Sequence, residues 1–151
     1  AVIINNINFN YEKRRDGAEQ DTGKMKSVLE MFSLSVDTFQ DKTVGEMLSL
    51  MRQQGQANHS QHGCFVCCIM THGDHGKVCG TDGSAIDILE LVNLVSGRAC
   101  PSLVGKPKVF IVNACQGGDK QTVVGADSGS TPRAIGAYIS SEADIYIGLA
   151  T

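Results

Sequence analysis

The sequence predicts an α/β protein, with a mostly parallel central sheet and helices on both of its faces. Two observations predict it. Residues 64–70 form an unbroken apolar run and residues 109–112 a second one, the pattern of strands covered on both faces. Around them lie segments whose apolar residues recur at helical spacing, so that strands alternate with helices as parallel crossovers require. At 151 residues the chain has room for one domain with one core. Apolar residues make up 42% and charged residues 19%, a globular balance rather than a disordered one.

The chain opens on Ala1-Val2-Ile3-Ile4, which reads as a buried strand. Residues 10–16 are polar and basic, with Lys13, Arg14 and Arg15, and read as a loop. From Asp21 onward Met25, Val28, Leu29 and Phe32 recur at helical spacing, an amphipathic helix with Asp21 as its cap. Residues 35–40 alternate between polar and apolar and are assigned a strand. Thr43-Val44-Gly45-Glu46 is a capping-box pattern ahead of Met47, Leu48 and Met51, so a second helix begins there. Residues 53–63 are polar and are expected to be a loop. Thr81-Asp82-Gly83-Ser84, after Val78-Cys79, supplies the turn of a hairpin. Residues 87–95 place Ile88, Leu91, Val92 and Val95 on one side of a third helix. Gly105-Lys106-Pro107 breaks the chain before the strand at 109–112. Residues 116–141 are rich in glycine and serine and flexible on composition, and residues 143–150 return to strand.

A net charge of −3 with both signs interspersed leaves no footprint for nucleic acid or a membrane surface. No apolar run approaches the roughly 18 residues of a transmembrane helix. The opening residues lack the basic region and apolar length of a signal peptide. The expectation is therefore a cytoplasmic protein whose six cysteines are reduced thiols rather than a disulfide framework.

In parallel sheets the chemistry collects beyond the carboxyl ends of the strands. Two loops qualify. They carry Thr71-His72-Gly73-Asp74-His75-Gly76 and Asn113-Ala114-Cys115-Gln116-Gly117-Gly118. A cysteine attacks as its thiolate, which near neutral pH needs a neighbouring base or positive charge. His72 and Cys115 can face each other if their strands are close in the sheet. Gly73 would leave a backbone N–H unhindered, and with the N–H of Cys115 it could hold an oxyanion, worth roughly 3 kcal/mol per donor. On spacing alone, Cys115 reads equally as a buried thiol at a strand end, and His72 as a loop histidine near His75. His59 and His62, in the polar loop, read as solvated bystanders. Cys64, Cys67, Cys68 and Cys79 are not read as a zinc site. The Cys-x-x-Cys spacing falls in an apolar strand that sends alternate side chains to opposite faces, and no second ligand pair follows.

Asn113-Ala114-Cys115-Gln116-Gly117-Gly118 resembles the caspase signature Gln-Ala-Cys-[Arg/Gln/Gly]-Gly. His72 lies 43 residues upstream of Cys115 (115 − 72), against about 50 in the family pattern. Further stretches resemble family landmarks in order: Ile3-Ile4-Asn5-Asn6-Ile7-Asn8-Phe9, Arg15-Asp16-Gly17, His72-Gly73-Asp74, Gly80-Thr81-Asp82-Gly83, Cys100-Pro101-Ser102-Leu103, Gly105-Lys106-Pro107-Lys108 and Glu142-Ala143-Asp144. Cys64-Phe65-Val66-Cys67-Cys68 and the Ala-Cys-Gln-Gly variant look most like the death-receptor initiators, the caspase-eight group. The resemblance implies the caspase–hemoglobinase fold and a cysteine endopeptidase that cuts after aspartate in apoptotic signalling. It implies a zymogen, and no metal or organic cofactor. It further implies His72 as the catalytic histidine, Cys115 as the nucleophile, and the N–H groups of Gly73 and Cys115 as oxyanion donors. Arg15 would line the pocket for the substrate aspartate, where a guanidinium fork suits a carboxylate. The carbonyl of Lys13 would orient the histidine.

Asn113 stands where the signature has Gln, whose amide helps hold the substrate carboxylate. One methylene shorter, it is expected to weaken aspartate binding. The resemblance divides the chain into a large-subunit catalytic region, 1–127, an active-site loop and intersubunit linker over 117–141, and the start of a small-subunit region, 128–151. Asp127–Ser128 is the expected processing bond, with Asp119–Lys120 second, in a segment of the kind where proteolysis concentrates. A second pocket arginine, the remaining cleft walls and a dimer-forming strand are expected outside these residues, as is a death-fold prodomain that engages an adaptor. The partners implied are protein substrates with aspartate before the scissile bond, the small subunit of the same or a sister chain, and a second copy in a homodimer. The competing expectation is a homologue that regulates a partner caspase by binding and does not cut; a redox-sensing thiol at Cys115 is a third.

Overall fold

The computed structural model describes residues 1–114 and 144–150. In chain order the strands are β1 (Val2–Asn5), β2 (Asp37–Gln40), β3 (Phe65–Met70), β4 (Gly73–Asp74), β5 (Lys77–Cys79), β6 (Ala85–Asp87), β7 (Lys108–Asn113) and β8 (Ile145–Ala150). The helices are α1 (Glu19–Met31), α2 (Val44–Gln56) and α3 (Ile88–Asn93), with a 3-10 turn at Pro101–Leu103. Five strands form one sheet in the order β2-β1-β3-β7-β8, and every neighbouring pair is parallel. The α/β class read from the sequence is the class observed.

β3 sits at the centre, and all six of its residues are buried because both faces are covered. On one face Phe65, Cys67 and Ile69 join Val2, Ile4, Phe110 and Val112 against Met47 and Met51 of α2 and Leu91 and Val92 of α3. On the other face Val66, Cys68 and Met70 join Ile3 and Leu29 of α1. Each fully buried Ile, Leu or Met in these layers is worth about 1.5–3 kcal/mol relative to exposure.

α2 begins where the capping box placed it. Thr43 Oγ1 accepts from the Glu46 N–H at 3.2 Å, and the Thr43 N–H donates to Glu46 Oε2 at 2.8 Å. The helix runs to Gln56, so the loop expected from residue 53 starts later. α1 starts at Glu19 with Ala18 at its N-cap, and Asp21 lies inside the first turn. There its carboxylate interacts with the exposed N–H end of the helix rather than capping it. The helical period of α1 was legible, but Leu29 alone of its residues is buried, while Val28 is 48% exposed and Phe32, just past its end, 74%.

β4, β5 and β6 form a separate antiparallel sheet. The hairpin turn at residues 81–84 joins β5 to β6, as expected. The turn between β4 and β5 went unread. His75 and Gly76 both take positive φ there (45° and 83°), the two-residue geometry that suits hairpin twist, and a histidine gives little local signal for it. β7 extends one residue further at each end than expected and includes Lys108, 1% exposed, whose Nζ donates to the Leu103 and Lys106 carbonyls at 3.0 Å each. His59 is not a solvated bystander. It is 4% exposed, with Nε2 donating to the Gln54 carbonyl at 2.8 Å and Nδ1 lying 3.0 Å from Nδ1 of His62. The carbonyls ending α2 need donors, and His59 supplies one.

Candidate active site

The carboxyl ends of β1, β3 and β7 are level. Asn5 pairs with Met70, and Met70 with Asn113. Ile3 and Met70 belong to the α1 face, so alternation along the strands puts Asn5, Met70 and Asn113 in one row on that face. At about 4.8 Å per strand, Asn5 and Asn113 stand about 10 Å apart, a span that a bound carboxylate and two flanking side chains can fill.

Arg15 is anchored on this row. Its backbone N–H donates to the Ile7 carbonyl at 3.0 Å, and its Nη1 donates to Asn5 Oδ1 and the Asn6 carbonyl at 2.9 Å each. Asn5 is itself held, its Nδ2 donating to the Ala18 carbonyl and Thr22 Oγ1. Those bonds fix the orientation of the guanidinium at the carboxyl end of the sheet. Asn113 ends β7 with its side chain exposed, while its carbonyl accepts from the Thr71 N–H at 3.1 Å.

His72 follows β3 and Thr71. Its backbone carbonyl accepts from the Cys79 N–H at 2.8 Å, and its ring packs 4.6 Å from that of Phe9. Nε2 of His72 lies 2.6 Å from the Lys13 carbonyl oxygen. A carbonyl can only accept, so Nε2 carries a hydrogen, and the neutral ring holds its lone pair on Nδ1. Gly73 tolerates no side chain. A Cβ there would lie 2.3 Å from the Lys77 carbonyl oxygen and 2.9 Å from Cβ of Ala114. The same contact puts Gly73 against the residue that precedes Cys115. Cys115 itself, Asp127 and residues 117–141 lie outside the described residues.

A family model for the caspase domain matches residues 1–151. The chain belongs to the caspase family. Caspase-8 of Mus musculus is 32% identical over 170 residues, covering 100% of this chain and 35% of that protein. Caspase-7 of Gallus gallus is 35% identical over 132 residues, covering 85% of this chain and 42% of that protein. Caspase-3 of Mesocricetus auratus is 35% identical over 154 residues, covering 100% of this chain and 55% of that protein. This caspase chain thus spans between 35% and 55% of the length of these relatives.

Three further thiols of this caspase domain can be set aside as nucleophiles on electrostatic grounds. Burial pushes the thiols of Cys67 and Cys79 up, and that of Cys68 up to about 11, so none offers a thiolate near neutral pH. Cys67 and Cys68 face opposite sides of the sheet, as alternation requires. Two site-shaping residues escaped the sequence reading. Asn5 acts through a strand register that local pattern does not carry. Asp41, just past β2, binds the backbone that leads to Arg15. No described helix is long and apolar enough to cross a membrane.

Proposed function

We propose that the full-length protein is a cysteine endopeptidase that hydrolyses peptide bonds after aspartate in apoptotic signalling, acting in the cytoplasm. The observation that carries the reading is the bond between Nε2 of His72 and the Lys13 carbonyl, because it leaves the Nδ1 lone pair as the position that takes up and gives back a proton. Nδ1 of His72 takes the thiol proton of Cys115, and the thiolate so formed attacks the scissile carbonyl carbon while the electron pair moves to the oxygen, held by the N–H groups of Gly73 and Cys115. Collapse breaks the C–N bond as Nδ1–H of His72 protonates the leaving amine. A water molecule, giving its proton back to Nδ1, then hydrolyses the thioester and frees the acid and Cys115. Arg15 pairs with the substrate carboxylate, and the Asn113 amide donates to it from the other end of the row.

In this reading residues 1–127 form the large-subunit region, 117–141 the active-site loop and linker, and 128–151 the start of the small-subunit region. Cleavage at Asp127–Ser128 would process the zymogen, which N-terminal sequencing of the matured protein checks. The active assembly would be a homodimer completed by small subunits, recruited through a death-fold adaptor.

The test is to dimerise the full-length protein and offer it aspartyl reporter peptides. Cys115→Ala and His72→Ala should each lower turnover by at least about a thousandfold, and Arg15→Ala should raise KM. If the unsubstituted dimer is silent yet still binds a partner caspase, the protein is a regulator and not a protease.

A further inference from the structure

Asp41 follows β2 at the carboxyl edge of the sheet and makes four bonds through one carboxylate. Oδ1 accepts from the backbone N–H of Ile7 at 2.8 Å and of Asn8 at 2.9 Å. Oδ2 accepts from Asn8 Nδ2 at 2.8 Å and Gln40 Nε2 at 3.0 Å. Its own N–H donates to the Asn5 carbonyl at 3.1 Å, and its φ of 53° lies in the left-handed region. That conformation is unfavourable for most residues and persists where surrounding bonds fix it.

Two of the residues it bonds, Asn5 and Ile7, are among those on which Arg15 hangs. Ile7 donates to Asp41 through its N–H and accepts the Arg15 N–H through its carbonyl, while Arg15 Nη1 is held by Asn5 and Asn6. Asn8 donates to Oδ2 and turns its own Oδ1 to Nε of Arg14 at 3.1 Å. We propose that Asp41 is a positioning residue for the aspartate pocket, fixing the start of the loop after β1 so that the Arg15 guanidinium meets the substrate carboxylate. The inference rests on the protease reading above.

Only a carboxylate satisfies this arrangement, because all four partners are donors and it accepts without donating. In Asp41→Asn the side-chain oxygen can still accept both backbone N–H groups, but its NH2 would oppose both Nε2 of Gln40 and Nδ2 of Asn8. Turning the Asn8 amide over would relieve the second clash at the cost of the bond from Arg14. Asp41→Ala loses all four bonds.

The experiment uses the dimerised full-length protein, with active sites counted by a covalent aspartyl inhibitor. Asp41→Asn should raise KM for an aspartyl reporter about tenfold, a displacement effect of the size small misplacements produce, with a smaller change in kcat. Because Asp41 acts through Arg15, the double variant with Arg15→Ala should have a KM no higher than Arg15→Ala alone. KM effects that simply add would overturn the inference, as would an unchanged KM in Asp41→Asn. Asp41→Ala should be the more severe; where it fails to fold, the Asn variant, which keeps the backbone bonds, decides the matter. Silence of the unsubstituted dimer instead overturns the protease reading and the inference with it.

Discussion

Asn113 and Arg15 approach one row of side chains from opposite ends, and they differ in how well each is held. Arg15 is locked by Asn5 and Asn6, whereas the Asn113 side chain is exposed at the end of β7. Its amide must cross part of the roughly 10 Å between β1 and β7. Glutamine adds one methylene of reach without changing the donor. Asn113→Gln is therefore expected to lower KM for aspartyl reporters severalfold with little change in kcat, the scale of one improved hydrogen bond to a charged group. Steady-state kinetics checks it, and an unchanged KM would show that the amide does not touch the carboxylate. At this scale the sequence made His72, Gly73, Arg15 and Asn113 visible, because each sits beside a strand end or in a recognisable stretch. Asn5 and Asp41 were not visible. Their placement comes from the level register of β1, β3 and β7 and from a carboxylate reaching across to another strand, neither of which a local pattern encodes.

Elements whose signals are local were the most legible: the apolar run of β3, and the capping box of α2, whose two bonds are both made. α1 was legible in period but not in its ends. Its last turn closes with the Ser33 N–H donating to the Glu30 carbonyl at 2.9 Å and the Leu34 N–H to the Leu29 carbonyl at 3.2 Å. Those are the paired bonds of a Schellman motif, with Leu34 and Leu29 in one apolar cluster. The motif asks for glycine at its left-handed position, yet Ser33 holds a φ of 60° there. A serine gave no stop signal, which is why the helix end could not be read. It also leaves strain that glycine would remove, offset in part by glycine's greater freedom in the unfolded chain. Ser33→Gly should raise stability by about 0.5–1 kcal/mol, seen as a higher urea midpoint at unchanged slope. A lower midpoint would mean the Ser33 side chain contributes something the motif does not require.

Across the whole molecule, the sheet buries thiols in both layers and ends in a carboxylate clamp, and the two bound its pH range from opposite sides. Burial alone would raise the Asp41 carboxyl, but the N–H groups of Asn8 and Ile7 outweigh it and hold it near 2, below its ordinary 3.8. Its folded value is the lower one, so its contribution is complete above pH 3.8 and is lost as pH falls towards 2. Cys68 is the opposite case. Burial lifts its thiol from the ordinary 9.0 to about 11, and Cys67 moves the same way. Here the folded value is the higher one, so the contribution is complete below pH 9 and is lost as pH rises through about 11. In reductant, the urea midpoint should accordingly fall between pH 9 and 11 in the unsubstituted protein. Cys68→Ala starts lower, because it leaves a small cavity, but its midpoint should fall less steeply across that interval. Equal slopes in the two proteins would mean that the Cys68 thiol ionises without unfolding the sheet around it. The same burial predicts that alkylation of the native protein near neutral pH spares Cys67 and Cys68, and that both react once the sheet opens in denaturant.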